Sequence, residues 1–270
     1  MPAIADSALL EALLPVAVAA GREAHAVYLR GCPVEQKADR TPVTEADRAA
    51  EAIILAHLAQ LAPHIPVVAE ESCAAGHIPA VQETFFLVDP LDGTKEFIAR
   101  RGEFTVNIAL IRSGAPVLGV VYAPVGGTVY AGEVATAHAF RYAQPAAGGA
   151  AGPREPLHVR AVPAAGLTAV VSRSHATPET EQYLRGYRVR ERVSVGSSLK
   201  FCLVASGEAD LYPRLGPTME WDTAAGHAVL LAAGGRVLAP GGGPLRYGKP
   251  DFRNSFFVAA GPLAVMPLAA

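Results

Sequence analysis

One apolar run that ends in two acids constrains this chain more than any other stretch: Phe85-Phe86-Leu87-Val88-Asp89-Pro90-Leu91-Asp92-Gly93-Thr94. Residues 85–88 read as a buried strand. Pro90 cannot donate to a ladder, so the strand is expected to stop at Asp89. Asp89 and Asp92 then share a tight turn with Gly93, and Thr94 reads as the N-cap of a helix through Lys95-Glu96-Phe97. Two carboxylates, a glycine and a hydroxyl where a strand meets a helix suit a hard divalent cation, which prefers oxygen ligands. The N–H groups of a helix start favour a phosphate at the same place. Asp, Pro and Gly are also ordinary turn formers, so the motif needs partners elsewhere in the chain.

The chain is long and apolar enough for one large domain or two closely packed ones: 270 residues, 51% hydrophobic and 18% charged. A net charge of −2 leaves no electrostatic footprint for a nucleic-acid polymer. Cys32, Cys73 and Cys202 are odd in number and far apart, which argues against a disulfide framework or a zinc cage and for free thiols in a reducing compartment. No basic region precedes an apolar run at the N-terminus, and no apolar run reaches membrane-spanning length. A cytoplasmic location is therefore expected, with peripheral contact to the inner membrane left open.

Along the chain, residues 3–30 carry apolar residues at helical spacing, with Pro15 marking a kink or break and Gly31 a stop. Thr44 is an N-cap candidate for a helix to about Leu61, with Asp47 in its first turn. A short strand, residues 66–69, runs into Glu70-Glu71-Ser72, where adjacent glutamates are costly unless something cationic neutralises them. Strands are expected at 103–111, 117–122 and 128–131, as an antiparallel meander. Residues 143–156 read as a surface loop and domain boundary. This divides the chain into an N-terminal α+β domain (1–150) and a C-terminal α/β domain (151–270). In the second part, strands near 167–171, 187–193, 209–212, 236–238 and 256–259 alternate with helices from about Pro178, Gly196 and Trp221.

Asp47, Glu70, Asp89, Asp92 and Asp222 each stand at an element end or in a first helical turn, positions that can converge at one edge of a layered fold. Together they would repel one another without a metal. Their oxygens suit Mg²⁺, with Mn²⁺ as a substitute. A carboxylate-rich centre with more than one metal is a tool for phosphoryl transfer to water.

These motifs, in this order, resemble the inositol-monophosphatase superfamily of magnesium-dependent, lithium-sensitive phosphatases. The carriers are Asp89-Pro90-Leu91-Asp92-Gly93-Thr94, Glu70-Glu71 upstream and Trp221-Asp222-Thr223-Ala224-Ala225-Gly226 downstream. Lys95-Glu96-Phe97, residues 102–110, Gly196-Ser197-Ser198-Leu199-Lys200-Phe201-Cys202, residues 217–222 and residues 247–252 resemble its 3′(2′),5′-bisphosphate nucleotidase branch. The resemblance implies an α/β (mixed α+β) fold, a layered α-β-α-β-α sandwich that is often dimeric. It implies removal of the 3′-phosphate from adenosine 3′,5′-bisphosphate, which clears a by-product of sulfate assimilation, with two or three Mg²⁺. By motif position, Glu70, Asp89, Asp92 and Asp222 would bind metal by side chain and Leu91 by its carbonyl. Asp47, Thr94 and Glu70 would serve the attacking water, and the Gly93 and Thr94 amides would hold the scissile phosphate. Lys95 and Lys200 are candidates for the second phosphate, with solvated surface positions as the alternative. Ser198 reads as a helix cap or a substrate contact. Glu71 has a supporting role, and His175 and His227 are structural or exposed. An inositol or sugar phosphate as substrate, and a non-catalytic nucleotide-binding relative, are the competing readings.

Overall fold

The protein is described by a computed structural model covering residues 4–37, 41–173 and 177–268. His175, and Ala38, Asp39 and Arg40 of the stretch before Thr44, lie outside the described residues. In chain order the elements are α1 (Asp6–Arg30), β1 (Val34–Gln36), β2 (Pro42–Thr44), α2 (Glu45–Leu61), β3 (Val67–Ala69), α3 (Glu70–Ala74) and β4 (Thr84–Asp92). They continue with α4 (Thr94–Ile98), β5 (Thr105–Arg112), β6 (Ala115–Ala123), β7 (Thr128–Glu133), β8 (His138–Ala143), β9 (Glu155–Pro156) and β10 (Leu167–Ser172). The last are α5 (Pro178–Leu184), β11 (Val189–Val195), α6 (Leu199–Ala205), β12 (Leu211–Arg214), α7 (Ala224–Ala232), β13 (Arg236–Leu238) and β14 (Phe257–Ala260).

A seven-stranded sheet has the order β3-β4-β5-β6-β7-β8-β9, antiparallel except for β3 against β4. A five-stranded sheet has the order β11-β10-β12-β14-β13. The apolar run in β4 is continuous because both of its faces are covered. Phe86 and Val88 join Leu13, Ala17, Ile54 and Leu58 of α1 and α2 on one side. Phe85 and Leu87 face the other way, into a core shared with Phe201, Val229, Tyr212 and Phe257. There α6 and α7 lie between the two sheets. The outer face of the smaller sheet packs Ala169, Leu211 and Val258 on Leu184 of α5. The layers therefore read α-β-α-β-α. Gly119 of β6 permits the middle contact, since a Cβ there would lie 2.3 Å from the Ala225 carbonyl oxygen in α7.

Several local expectations are corrected. Pro15 neither breaks nor ends α1; it lies on the exposed face, where the carbonyl it leaves unbonded can reach water. The strand does not stop at Asp89. It continues to Asp92 through an irregularity, Asp89 pairing with Asn107 and Asp92 with Thr105, and Pro90 sits in the skipped step where no ladder donor is required. Thr94 is the first helical residue, not the cap; Gly93, at φ 96°, holds the left-handed cap position that glycine adopts without strain. The surface loop expected at 143–156 stands over 144–154, with strand added at its ends, since β8 runs to Ala143 and β9 returns to pair with β8. No helix among the described residues is long and apolar enough to cross a membrane.

Candidate active site

The acids arrive on different elements: Asp47 on α2, Glu70 on α3, Asp89 and Asp92 on β4, and Asp222 between β12 and α7. Thr44 caps α2: its Oγ1 accepts from the Ala46 N–H, while Asp47 Oδ2 accepts from the Thr44 N–H at 2.8 Å and the Thr44 hydroxyl at 2.7 Å. This reciprocal box turns the other Asp47 oxygen, Oδ1, toward Thr94, whose hydroxyl donates to it at 3.2 Å. Thr94 Oγ1 also stands 3.4 Å from the Leu91 carbonyl oxygen. Glu70 opens α3 at the end of β3, and Asp89, Leu91 and Asp92 lie on the last turn of β4.

A cleft of about 240 Å³ collects Glu70, Asp92, Gly93, Thr94, Lys95, Lys200 and Asp222 on its lining. Asp47, Asp89, Leu91 and Ser198 are not on that lining. Asp89 is 1% exposed; its Oδ1 accepts the Leu91 N–H at 3.0 Å. Ser198 occupies the N-cap position of α6 but makes no side-chain cap bond. Its hydroxyl is drawn across the site instead, toward Asp92 Oδ2 (3.1 Å) and the Asp222 carbonyl (2.9 Å), and accepts from Asn107 Nδ2 at 2.9 Å. Asp222 Oδ2 accepts the Met219 N–H at 2.9 Å.

Electrostatics mark this region as strained by charge of one sign. Burial first, then the neighbouring Glu70, Asp92 and Asp222, push the Asp89 carboxyl well above the ordinary carboxylate range. Burial and then Asp92 and Glu70 do the same to Asp222. Asp47, Asp92 and Glu70 are also raised, each foremost by burial. Glu71, buried and beside Glu70, is pushed up to about 7. Lys37 pairs with both glutamates, 2.6 Å from Glu70 Oε1 and 2.7 Å from Glu71 Oε1. Burial opposes its charge, yet the two glutamates more than offset that and hold the ammonium above its usual range. Desolvated carboxylates at this density need a positive charge, and an all-oxygen set suits a hard divalent cation. The donor chemistry therefore fits such an ion. As they stand, no three His, Cys, Asp or Glu side chains among the described residues are gathered tightly enough to form a closed ligand set.

The cleft also carries cations, close to the acids. Lys200 is 6% exposed, so it is not a solvated surface lysine; its Nζ donates to the Ser197 carbonyl at 2.6 Å, and its ammonium lies 5.6 Å from the Tyr212 ring centre. Burial lowers it to about 8 against the nearby Asp92 charge, which favours the ammonium, while the Arg214 charge acts with burial. Arg214, 7% exposed, donates from Nη2 to the Pro217 carbonyl at 2.8 Å, and its Nε has no hydrogen-bond partner among the described residues. Lys95 is exposed at the rim.

Sequence reasoning did not single out Lys37, Asn107, Arg214, Glu51 or Glu220. Lys37, Asn107, Glu51 and Glu220 pair with residues far along the chain, and Arg214 bonds the Pro217 carbonyl three residues on without any motif to mark it. His227 is structural: it is buried, pushed down to about 3 by burial, and its Nδ1 lies 2.9 Å from the Tyr247 hydroxyl. Trp221 packs beside Phe252 in the shared core.

A profile of the Inositol monophosphatase family matches residues 6–263. The chain belongs to that family. Within the inositol monophosphatase family, it is similar to the 3′(2′),5′-bisphosphate nucleotidase CysQ of Escherichia coli O157:H7, 46% identical over 257 residues, which span 92% of this chain and all of that protein. CysQ of Haemophilus influenzae is 33% identical over 94% of this chain and 93% of its own. Among solved structures, CysQ from Bacteroides thetaiotaomicron, a bacterial member of the inositol monophosphatase family, superposes with a TM-score of 0.79 at 39% identity, covering 95% of this chain and 98% of that one. An inositol monophosphatase from Zymomonas mobilis superposes with a TM-score of 0.75 at 25% identity, covering 96% and 94%.

Proposed function

We propose that this chain is a metal-dependent 3′(2′),5′-bisphosphate nucleotidase that hydrolyses the 3′-phosphate of adenosine 3′,5′-bisphosphate to AMP and phosphate. The observation that carries the reading is one cleft lined both by the acids Glu70, Asp92 and Asp222 and by the buried cations Lys200 and Arg214. A substrate with two phosphates fits such a cleft, one phosphate reacting among the acids and the other held by the cations. The curated relatives, matched along nearly their whole length, bear the same activity in their name.

Glu70, Asp89, Asp92 and Asp222 would hold the ions by side chain and Leu91 by its carbonyl, with two or three Mg²⁺ as the natural complement and Mn²⁺ as a substitute. A divalent ion bound there supplies a more acidic water and stabilises charge on the leaving oxygen. The residues around it supply positioning and proton transfer. The Thr94 hydroxyl points its proton at Asp47 Oδ1, leaving a lone pair on Oγ1 to accept from the attacking water. The proton then passes through Thr94 Oγ1 to Asp47, whose raised affinity for a proton follows from its burial. The Gly93 and Thr94 N–H groups hold the scissile phosphate at the start of α4. Asn107 and Ser198 steady Asp92 from behind. Lys200 and Arg214 take the second phosphate, with Lys95 at the rim; the reaction is intracellular nucleotide salvage linked to sulfate assimilation, and the protein works in the cytoplasm.

The test is phosphate release from adenosine 3′,5′-bisphosphate, inositol 1-phosphate and fructose 1,6-bisphosphate, side by side, with Mg²⁺ and with chelator. Mg²⁺-dependent preference for the nucleotide is expected. Preference for inositol phosphate moves the chain to a sister activity, and release that survives chelation refutes the metal role.

A further inference from the structure

The segment 215–223 joins β12 to α7 and carries much of the cleft: Pro217, Thr218, Asp222 and Thr223. It has almost no regular structure of its own, so something else must set its shape. Residues 246–254, whose sequence motif has no role in the chemistry above, supply that constraint. Asn254 Nδ2 donates toward Thr218 Oγ1 (3.2 Å), the Met219 carbonyl (2.8 Å) and Thr223 Oγ1 (3.1 Å), and the Asn254 N–H donates to the Thr218 carbonyl at 3.0 Å. An amide nitrogen has two hydrogens, so these contacts are shared among three acceptors and tie both halves of the segment to one side chain.

A second contact locks the same pair of segments. Glu220 is fully buried, and its carboxylate accepts the Gly248 N–H (2.7 Å), the Lys249 N–H (3.0 Å) and the Lys249 ammonium (2.6 Å). The Lys249 ammonium also reaches Asn254 Oδ1 at 3.3 Å, so Glu220, Lys249 and Asn254 form one chain of bonds. The clamp reaches the cleft's cations, because Pro217, next to the clamped Thr218, holds the Arg214 guanidinium through its carbonyl.

We infer that Asn254 is a positioning residue for the second-anion site of the cleft, acting through the 215–223 segment on Arg214 and Thr218. The inference rests on the nucleotidase reading, in which that site takes the second phosphate. Asn254 is not itself on the cleft lining but bonds Thr218 and Thr223, which are, so it sets substrate preference without entering the chemistry. The Asp222 carboxylate accepts the Met219 N–H from within the segment, but Asp222 also has anchors that do not depend on Asn254, since the Ser198 hydroxyl bonds its carbonyl and α7 begins two residues later.

The experiment compares Asn254→Ala with the unaltered protein on adenosine 3′,5′-bisphosphate and on 3′-AMP, which lacks the second phosphate, with Mg²⁺ present. The KM for the bisphosphate should rise about 10-fold, the equivalent of one net hydrogen bond, while KM for 3′-AMP and kcat on both stay within about 2-fold. Equal rises on both substrates, a fall in kcat on both, or no change overturns the inference. If Asn254→Ala does not fold, Lys249→Met decides it: about a 3-fold rise confined to the bisphosphate supports the clamp, and any equal or absent shift overturns it. Arg214→Met separates this inference from the reading beneath it. An unchanged bisphosphate KM in Arg214→Met refutes the cationic site itself. A raised one, beside an unresponsive Asn254→Ala, refutes the clamp alone.

Discussion

Replacing Glu51 measures how a buried side chain outside the cleft holds Glu70 in place. Glu51 belongs to α2 and is 5% exposed. Its Oε2 accepts the Glu71 N–H at 2.8 Å, and its Oε1 accepts the Ser72 N–H at 2.8 Å and the Ser72 hydroxyl at 2.6 Å. These are orphan donors at the start of α3, whose first residue is Glu70. In Glu51→Gln the shape is kept, but one oxygen becomes an NH₂ group. Whichever way the amide turns, that group faces a backbone N–H, and a buried donor left unsatisfied costs about 1–3 kcal/mol. Glu51→Ala removes all three bonds; the adjoining groove, which Glu51 and Ser72 line, admits water, so the loss is held to about 3–5 kcal/mol. With α3 uncapped, Glu70 loses its fixed origin, and the Mg²⁺ concentration for half-saturation should rise about 10-fold or more, the usual effect of losing a partner behind a ligand. Urea unfolding gives the stability change and calorimetric Mg²⁺ titration the affinity change. The reasoning is refuted if Glu51→Gln unfolds within 0.5 kcal/mol of the unaltered protein (about the reach of a neutral surface substitution) and binds Mg²⁺ equally well.

Asp92→Asn should lower kcat on the nucleotide by roughly three orders of magnitude, since a lost ligand forfeits several kcal/mol of charge stabilisation, with the circular-dichroism spectrum unchanged. Activity near that of the unaltered protein removes Asp92 from the metal set. His227 is held neutral down to about 3, whereas an unfolded histidine takes its proton near 6.5. The unfolded chain therefore binds the extra proton between those values, and His227 costs stability as pH falls below 6.5, at up to about 1.4 kcal/mol per pH unit. Urea midpoints at pH 7, 6 and 5 should fall less steeply in His227→Gln; identical slopes exclude the effect. Gly119→Ala places a methyl group 2.3 Å from the Ala225 carbonyl oxygen and 2.7 Å from Ala228 Cβ. Overpacking there should cost about 1–3 kcal/mol in denaturant unfolding, and a neutral outcome shows that α7 can move off the sheet.

What could be read from the sequence alone was local. The run at 85–88, the Thr44 cap with Asp47 a turn inside it, and the Gly31 stop each depend on neighbours within a few residues, and each stands in the structure. The order of the acid motifs carried the family and, with it, the layered fold. Local rules failed where a distant strand overrode them. Pairing with β5 carries β4 past Pro90 to Asp92, although a proline beside an aspartate reads as a stop. Tertiary structure alone decided the charge balance. Lys37 meets Glu70 across 33 residues, and the Ser198 hydroxyl is taken from its helix by Asp92 across 106. Lys200, for which the sequence leaves a solvated surface position open beside a phosphate contact, is buried because α6 lies between two sheets. Hydrogen bonds and ion pairs depend on distance in space, and a linear pattern records only distance along the chain. The acids could be named one by one from the sequence, but the cleft that gathers Glu70, Asp92 and Asp222, and the bonds from residues 246–254 to the segment that lines it, exist only once the layers have closed.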